Sequence, residues 1–338
     1  MTLSRPHPDL LKQHPYILSL GIPDNDRRPP GRRVVALKQR VRCLKRVKAL
    51  AIVAHDPASH EAAALARAAG GPPVARVLHT SLQWMPDEHR HALELLAPGT
   101  DLYFCVEFDA FRHATRLRRR AFLLPQPVDI SRLNLQTVSA RNKNVNRKVW
   151  NFLFVGRLEW AKGADILVQS AKTLTRALPS NFRIHILGDG PEFSDLMDTV
   201  RRLNLEKNVL FHGYRATVGD FYGRVDAVII PSRGEGGSLV ALEALASETP
   251  VIAAAVGGLR DLLRTYGLKD CLVPPGRPGP MAQAILDFIR HAAIRQKQIR
   301  HLRPVIIRNH DISLIGKWMK QTILKNGMIG KIGEDWGR

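Results

Sequence analysis

The sequence predicts an α/β protein whose strands form parallel sheets. Short runs of Val, Ile and Leu alternate with helical stretches of roughly ten to fifteen residues, a pattern typical of strands covered by helices on both faces. Polar motifs follow several of these runs directly, and such sheets bind ligands at the carboxyl ends of their strands. The chain has 338 residues, more than one hydrophobic core normally serves, so we expect two domains.

The amino-terminal half contains four candidate strands. Ser59–Ala69 is a run of small residues that favours a helix, and the Gly-Gly-Pro-Pro sequence from Gly70 would end it. The strands are predicted at Val47–His55, Val74–His79, Asp101–Cys105 and Ala121–Leu124.

The carboxyl-terminal half repeats the alternation more regularly. Apolar periodicity predicts one helix from Ala164 to about Leu178 and a second from Glu192 to about Leu203. The five predicted strands are Phe152–Val155, Arg183–Leu187, Val209–Gly213, Asp226–Ile230 and Pro250–Ala254.

Two acidic residues follow the fourth of these strands. Glu235 is followed by Gly236 and Gly237, and seven residues separate Glu235 from Glu243. This spacing suits a turn into a helix, with Glu235 in the loop and Glu243 about two turns into the helix. The free N–H groups at that helix start would face an anionic ligand, such as a nucleotide-sugar. Two acids at this spacing also occur by chance on solvated helix faces.

The turn after the first strand of this half contains two cations. Gly156–Gly163 includes Arg157 and Lys162 and leads into the helix at Ala164. A strand, such a turn and a helix form half of a βαβ unit that can hold phosphates. The simpler interpretation is a solvated surface pair, the usual environment of Arg and Lys.

Five motifs follow one another in a fixed order along this half. They are Gly156-Arg157-Leu158 with Lys162-Gly163, Gly188-Asp189-Gly190-Pro191, Phe211-His212-Gly213, Pro231-Ser232 with Glu235 and Glu243, and Pro250-Val251-Ile252-Ala253 with Gly257-Gly258. This order resembles the carboxyl-terminal, donor-binding domain of family 4 retaining glycosyltransferases, over about residues 150 to 275. The resemblance implies the GT-B fold, in which two Rossmann-like domains face each other across a cleft.

The resemblance implies a role for each matched residue. Arg157 and Lys162 would hold the donor diphosphate, Glu235 would meet hydroxyls of the donor sugar, and Glu243 would accept hydrogen bonds from the nucleotide ribose. Fixed cations and amides at the departing diphosphate stabilise the transition state more than the ground state, so they act on the rate. The other donor-binding positions are Gly156, Gly213, Gly236, Gly237, Ser238 and Leu239. For Gly188–Gly190 a simple turn is the competing interpretation.

Two positions depart from the family pattern. Gly237 and Ser238 stand where members often have a bulky residue and a second glycine. The sequence from Ala246 to Pro250 reads Ala-Ser-Glu-Thr-Pro, where many members read Ala-x-Gly-x-Pro. Neither departure removes a charged contact, and both leave the donor sugar open.

The amino-terminal half is similar to the later part of the family's acceptor domain. His79 ends a strand and is the candidate for the histidine that lies beside the donor sugar in that family, with His55 second; a lone histidine at a strand end is also a common structural feature. The family's glycine-rich first loop and about two βα units have no counterpart before Val47. We therefore expect a shortened acceptor domain.

The domain boundaries follow from composition and from the family. Residues 1–145 are expected to form the acceptor-binding domain and residues 146–310 the donor-binding domain. Residues 311–338 are expected to cross back to the first. The polar segment Ser139–Arg147 has the composition of a linker.

The net charge of +21 indicates an anionic partner. Between Arg27 and Lys48 the chain has ten Lys or Arg and no acid, and Val35–Lys48 would form a basic helix able to lie on an anionic bilayer. A second basic cluster is Arg116, Arg118, Arg119 and Arg120. General solubility charge is the alternative. No nucleic-acid motif is recognised and aromatic residues are only 6%, so we expect no nucleic-acid partner.

The sequence predicts a cytoplasmic location, peripheral on the inner membrane face. No apolar run reaches the roughly eighteen residues that span a bilayer, and the start lacks a secretory apolar core. Cys43, Cys105 and Cys271 form neither a metal motif nor a disulfide framework. We expect no metal site of the kind that other glycosyltransferase folds use, and no obligatory cofactor.

The function expected is that of a hexosyltransferase. It would move a hexose from a UDP- or GDP-sugar to a saccharide or lipid-linked acceptor, with retention, in synthesis of cell-envelope polysaccharide or lipopolysaccharide. Glu235, Arg157, Lys162 and His79 are the predicted catalytic residues. The alternative is an inactive or truncated relative that binds a nucleotide-sugar or a membrane surface without turnover.

Overall fold

A computed structural model describes residues 52–55, 57–79, 87–133, 149–178 and 181–326. The chain divides into two compact units, of which the second is Pro125–Ile315 and the first comprises the residues before and after it. The predicted linker Ser139–Arg147 and the predicted basic helix Val35–Lys48 lie outside the described residues.

The first unit contains a four-stranded parallel sheet in the order β1-β2-β3-β4. Its strands are β1 Ile52–Ala54, β2 Val74–Leu78, β3 Leu102–Cys105 and β4 Arg120–Leu123. The connecting helices are α1 Pro57–Ala68, α2 Asp87–Leu96 and α3 Phe108–Arg116, with a short 3₁₀ turn at Ala97–Gly99. Each strand pairs with the next along the chain, and right-handed crossovers then bring all three helices to one face of the sheet.

Side chains of β3 alternate between the two faces of this sheet. Tyr103 and Cys105 pack with Leu93 of α2 and Ala110 of α3. Phe104 points the other way, where the ring of Trp318 lies 5.8 Å from it between centroids. Trp318 belongs to the last described helix, so this helix packs on the second face of the sheet.

The second unit is built on a six-stranded parallel sheet in the order β10-β9-β8-β5-β6-β7. Its strands are β5 Trp150–Val155, β6 Phe182–Leu187, β7 Val209–Phe211, β8 Ala227–Ile230, β9 Val251–Ala254 and β10 Leu272–Val273. Its helices are α4 Ala164–Ala177, α5 Phe193–Arg202, α6 Gly219–Tyr222, α7 Leu239–Ala246, α8 Gly257–Thr265, α9 Pro278–Arg290 and α10 Ala292–His310, and α11 Ile312–Lys325 follows. Short 3₁₀ turns lie at Ile130–Arg132, Trp160–Lys162 and Lys269–Cys271.

Strand β5 explains why the sheet is buried on both faces. Phe152 and Phe154 point into a core that includes Ile166 of α4, whereas Leu153 points into a separate core with Leu242 of α7. Successive side chains of β5 therefore point into different cores, as expected for a parallel strand covered by helices on both sides. The sequence Trp-Asn-Phe-Leu-Phe-Val supplies apolar side chains to both cores.

The order in which strands are added to the sheet reverses at β5. The chain runs outward through β6 and β7 and then returns to β8, which pairs with β5 on the other side. This reversal creates a crevice outside the carboxyl ends of β5 and β8, the usual ligand position in doubly wound sheets. The predicted fold class, α/β with parallel sheets, is confirmed, and the predicted strands agree to within one or two residues at each end. For Val47–His55 this agreement covers only the described part, from Ile52 on.

The last two helices connect the units along the chain. Val128 and Asp311 form an isolated parallel bridge, and His310 Nδ1 lies 2.8 Å from the carbonyl oxygen of Gln126, so both ends of the second unit are held together. From Gly316 onward, α11 belongs to the first unit. Within the described ranges, none of the helices has an apolar stretch long enough to cross a bilayer.

Candidate active site

The two loops at the crevice approach each other closely. Gly163 ends the loop after β5 with φ of +68°, and a Cβ at this position would lie 2.3 Å from the carbonyl oxygen of Pro231 in the loop after β8. The backbone N–H of Arg233 also donates to the carbonyl oxygen of Ala161 at 2.8 Å. Glycine at position 163 is therefore required both by the left-handed backbone and by the neighbouring chain.

Lys162 and Glu235 form the central ion pair of the site. Lys162 Nζ lies 2.9 Å from Glu235 Oε1, and the Ser232 hydroxyl donates to the same oxygen at 2.8 Å. The Glu235 side chain is 10% exposed and that of Lys162 is 30% exposed. Burial strengthens this attraction relative to a surface pair, so the ion pair fixes the carboxylate at the mouth of the crevice.

The glycine pair Gly257-Gly258 supports the backbone of Glu235. Gly257 has φ of +39°, and a Cβ there would lie 2.1 Å from the carbonyl oxygen of Glu235. The N–H of Gly258 donates to that oxygen at 3.2 Å. The loop after β9 therefore supports the loop after β8 at the backbone of Glu235.

Arg157 is far less constrained than Lys162. Its side chain is 73% exposed and reaches Glu159 at 3.4 Å. It occupies the same loop as Lys162 but does not contact Glu235. Arg157 is therefore free to turn toward a ligand.

The glycines of the second and third motifs connect neighbouring loops. Gly188 has φ of +142°, and a Cβ there would lie 1.8 Å from the carbonyl oxygen of Gly156. The N–H of Gly188 donates to the carbonyl oxygen of Gly213 at 2.9 Å, and the N–H of Leu158 donates to that of Asp189 at 2.9 Å. These contacts give Gly156, Gly188 and Gly213 a structural role in shaping the crevice floor.

Glu243 lies in α7 and is held by a buried tyrosine. The hydroxyl of Tyr222, a residue with no exposed surface, donates to Glu243 Oε2 at 2.6 Å. Burial raises the pKa of Glu243, while the hydrogen bond from Tyr222 and the charge of Arg132 lower it. Because α7 begins at Leu239, Glu243 stands little more than one turn into the helix, not two turns as expected.

Ser238 caps the helix that carries Glu243. Its side chain accepts a hydrogen bond from the N–H of Ala241 at 3.2 Å, and Ser238 itself is buried. The N–H groups of Leu239 and Val240 remain at the helix start as donors. Gly236 and Gly237 precede the cap, and the Leu239 side chain is exposed.

Arg233 joins the two loops through its side chain, a contact that the sequence did not reveal. Its guanidinium pairs with both carboxylate oxygens of Asp165, at 2.8 and 2.7 Å. It also donates to the carbonyl oxygen of Trp160 at 2.7 Å and lies 4.8 Å from the centre of the Trp160 ring. Arg233 therefore clamps the turn that carries Lys162.

The two histidine candidates of the first unit contact each other. His55 Nδ1 and His79 Nε2 are 3.0 Å apart, with the rings stacked at 5.2 Å between centroids. Desolvation, and then the charges of His55 and Arg76, lower the pKa of His79 to about 4, so its imidazole is neutral near pH 7. Among the described residues, no group of three His, Cys, Asp or Glu is arranged to hold a metal ion.

Part of the second unit is similar in sequence to known glycosyltransferases. Residues 150–291 match the family model described as Glycosyl transferases group 1. D-inositol 3-phosphate glycosyltransferase of Kineococcus radiotolerans is 39% identical over 161 residues, which are 42% of this chain and 37% of that protein. The chain therefore spans well under half the length of this relative.

Solved structures extend the similarity of fold to most of the chain. Anabaena Alr3699/HepE in complex with UDP and glucose has a TM-score of 0.75 at 19% identity and covers 94% of this chain and 88% of its own. The lipopolysaccharide outer core galactosyltransferase WaaB has a TM-score of 0.63 at 21% identity, over 87% of this chain and 80% of its own. At residues 150–291 the chain carries a domain of the group 1 glycosyltransferases.

Proposed function

We propose that this protein is a retaining hexosyltransferase that uses a UDP- or GDP-linked sugar. The Lys162–Glu235 pair is the observation that carries the proposal, because it sets a cation and a carboxylate side by side at the chain reversal of a doubly wound sheet. The ammonium group of Lys162 suits a diphosphate, and the carboxylate of Glu235 suits sugar hydroxyls. UDP is the first nucleotide to test, since the HepE structure contains UDP.

In this proposal, different residues of the second unit bind different parts of the donor. Lys162 and Arg157 hold the diphosphate, and the free amides at the start of α7 add neutral donors. Glu243 offers Oε1 to the ribose hydroxyls, because Oε2 accepts from Tyr222. Glu235 orients the hexose by its hydroxyls.

Catalysis in this arrangement comes mainly from stabilising the leaving group. As the bond between the sugar and the phosphate breaks, negative charge grows on the diphosphate, and Lys162, Arg157 and the amides stabilise that charge without reorganising. For retention we propose attack of the acceptor on the same face, with the departing phosphate oxygen taking the acceptor proton. His79, neutral near pH 7, would act beside the sugar by hydrogen bonding and not by charge.

The acceptor is proposed to be a saccharide or a lipid-linked saccharide of the cell envelope. The similarity in fold to a lipopolysaccharide galactosyltransferase supports this class, and the net charge of +21 suits an anionic membrane surface. The basic residues Arg40, Arg42, Lys45 and Lys48 would contribute to that contact. Conversion of these four to Gln should weaken vesicle binding and leave donor affinity unchanged.

The proposal is tested by turnover of purified protein. A panel of UDP- and GDP-hexoses is screened first by thermal shift, since a ligand at a hundred times its dissociation constant adds about 2.7 kcal/mol of stability. The stabilising donor is then offered in radiolabelled form, with and without candidate acceptors. Hydrolysis or transfer supports the enzyme, whereas tight binding with no turnover supports the alternative of a nucleotide-sugar-binding protein.

A further inference from the structure

Helix α3 of the first unit presents an exposed aromatic ring beside arginines. Phe108, in its first turn, is 55% exposed. The Phe111 ring lies 5.9 Å from it, and the guanidinium carbon of Arg112 lies 5.3 Å from the centre of the Phe108 ring. Ala110 and Ala114 are fully buried against the sheet, so Phe108, Arg112 and Arg116, at helical spacing, lie on the outward face.

Some exposed arginines of the second unit are neutralised by an acid on their own helix, whereas the arginines of this face are not. Arg201 and Arg290 each pair with an aspartate three positions earlier on the same helix. Across the described ranges, neither Arg112 nor Arg116, nor Arg118 just after the helix, has an ion-pair partner. The face therefore carries uncompensated positive charge next to exposed apolar surface.

We propose that this α3 face, defined as Phe108, Phe111, Arg112, Arg116 and Arg118, docks on an anionic lipid bilayer. The phenyl ring can enter the boundary between headgroups and acyl chains, while the long arginine stems keep their charges among lipid phosphates. A nucleic-acid strand fits less well, because the two rings pack on each other and leave no row of stacking platforms. The inference extends the proposed membrane acceptor, but binding to lipid requires no sugar transfer.

The charge contribution is measured by co-sedimentation with vesicles. Full-length protein is mixed with vesicles of phosphatidylcholine alone or of phosphatidylcholine with phosphatidylglycerol, over a range of salt. The double variant Arg112→Gln/Arg116→Gln should bind anionic vesicles about 25-fold more weakly, since each cation near such a surface contributes about fivefold. The matched control Arg201→Gln/Arg202→Gln removes two exposed arginines of the second unit and should bind like the wild type.

The aromatic contribution is measured separately. Phe108→Ser should weaken binding and leave its salt dependence unchanged. Phe108→Trp should gain blue-shifted emission on anionic vesicles, after subtraction of the wild-type signal from its five tryptophans. Circular dichroism of each variant checks that the fold is retained.

Three results would overturn the proposal. They are equal binding to neutral and anionic vesicles, an equal loss of binding in the control double variant, and binding of single-stranded DNA but not of vesicles. Sugar transfer to a soluble acceptor, followed in the same preparations, should be the same in all variants. Absence of transfer with normal vesicle binding would count against the proposed activity alone.

Discussion

Lys162 Nζ lies 2.9 Å from Glu235 Oε1, although 73 positions separate the two residues in the sequence. The pair exists because β5 and β8 are neighbours at the point where the strand order reverses, so the loops that follow them meet. The Arg233–Asp165 pair joins the two loops, and the loop after β8 also packs on Gly257 and Gly258 of the loop after β9. The ion pair is therefore positioned by the fold before a ligand arrives.

Replacement of Lys162 by Ala should slow turnover at saturating donor by one to two orders of magnitude. The change removes a charge-assisted contact worth roughly 1.5–3 kcal/mol from the departing diphosphate. Arg157→Ala should have an effect of the same sign. Steady-state kinetics measure it, with Lys172→Ala, an exposed lysine of α4, as the control. Normal turnover in both site variants would rule out their phosphate role.

Nucleotide affinity should decline on acidification, and Tyr222→Phe should move that decline to higher pH. Glu243 must be ionised to accept two ribose hydroxyls, and burial already raises the pKa of its carboxyl. The Tyr222 hydrogen bond lowers that pKa, so its removal raises the pKa further and protonation begins at a higher pH. Isothermal titration of UDP across pH gives both midpoints. A midpoint unchanged by Tyr222→Phe would show that Glu243 does not control the affinity.

Substitution of Gly163 by Ala should cost much more stability than Gly267→Ala. Both glycines have nearly the same left-handed backbone, with φ of +68° and +70°, so both substitutions cost about 1–2 kcal/mol of conformational strain. Only at Gly163 would the new Cβ meet another chain segment, 2.3 Å from the carbonyl oxygen of Pro231. Chemical denaturation compares the two variants. Equal losses would mean that the two loops do not pack as closely as described.

Glu248→Gly should be more stable than Glu248→Ala by about 1 kcal/mol. Glu248 has φ of +53°, a conformation that costs an alanine roughly that amount and a glycine almost nothing. Both variants lose the same ion pairs with Arg300 and Arg303, at 3.5 and 3.7 Å. The difference between their unfolding free energies therefore isolates backbone strain. If alanine proved as stable as glycine, the backbone at this position would not be left-handed.

The strand pattern was predictable because central strands of the second sheet, such as β8 and β9, are apolar on both faces. Phe152, Leu153 and Phe154 are all buried, and a continuous apolar run between turn residues is easily recognised in a sequence. The predicted depth of Glu243 in its helix is wrong because Ser238 caps that helix, which therefore begins at Leu239. A serine just before an apolar helical run is a recognisable start signal in a sequence.

The contacts of Arg233 and Tyr222 could not be predicted from the sequence. Arg233 meets Asp165 across 68 positions, and only the pairing of β5 with β8 brings the two together. Tyr222 lies in a four-residue helix with no periodic signal, and its bond to Glu243 depends on how that helix packs on α7. The contact between His55 and His79 likewise requires β1 to pair with β2. Spacing identifies candidate residues, whereas sheet order decides which of them touch.

The most direct test of the account compares UDP binding by Glu243→Ala and Glu235→Ala in calorimetry. If Glu243 holds the ribose and Glu235 the sugar, the Glu243 variant should bind bare UDP at least tenfold more weakly, which corresponds to about 1.4 kcal/mol. The Glu235 variant should bind UDP nearly as the wild type does and lose sugar transfer. Unaltered UDP affinity in the Glu243 variant, or normal transfer in the Glu235 variant, would contradict the assignment of this crevice as the donor site.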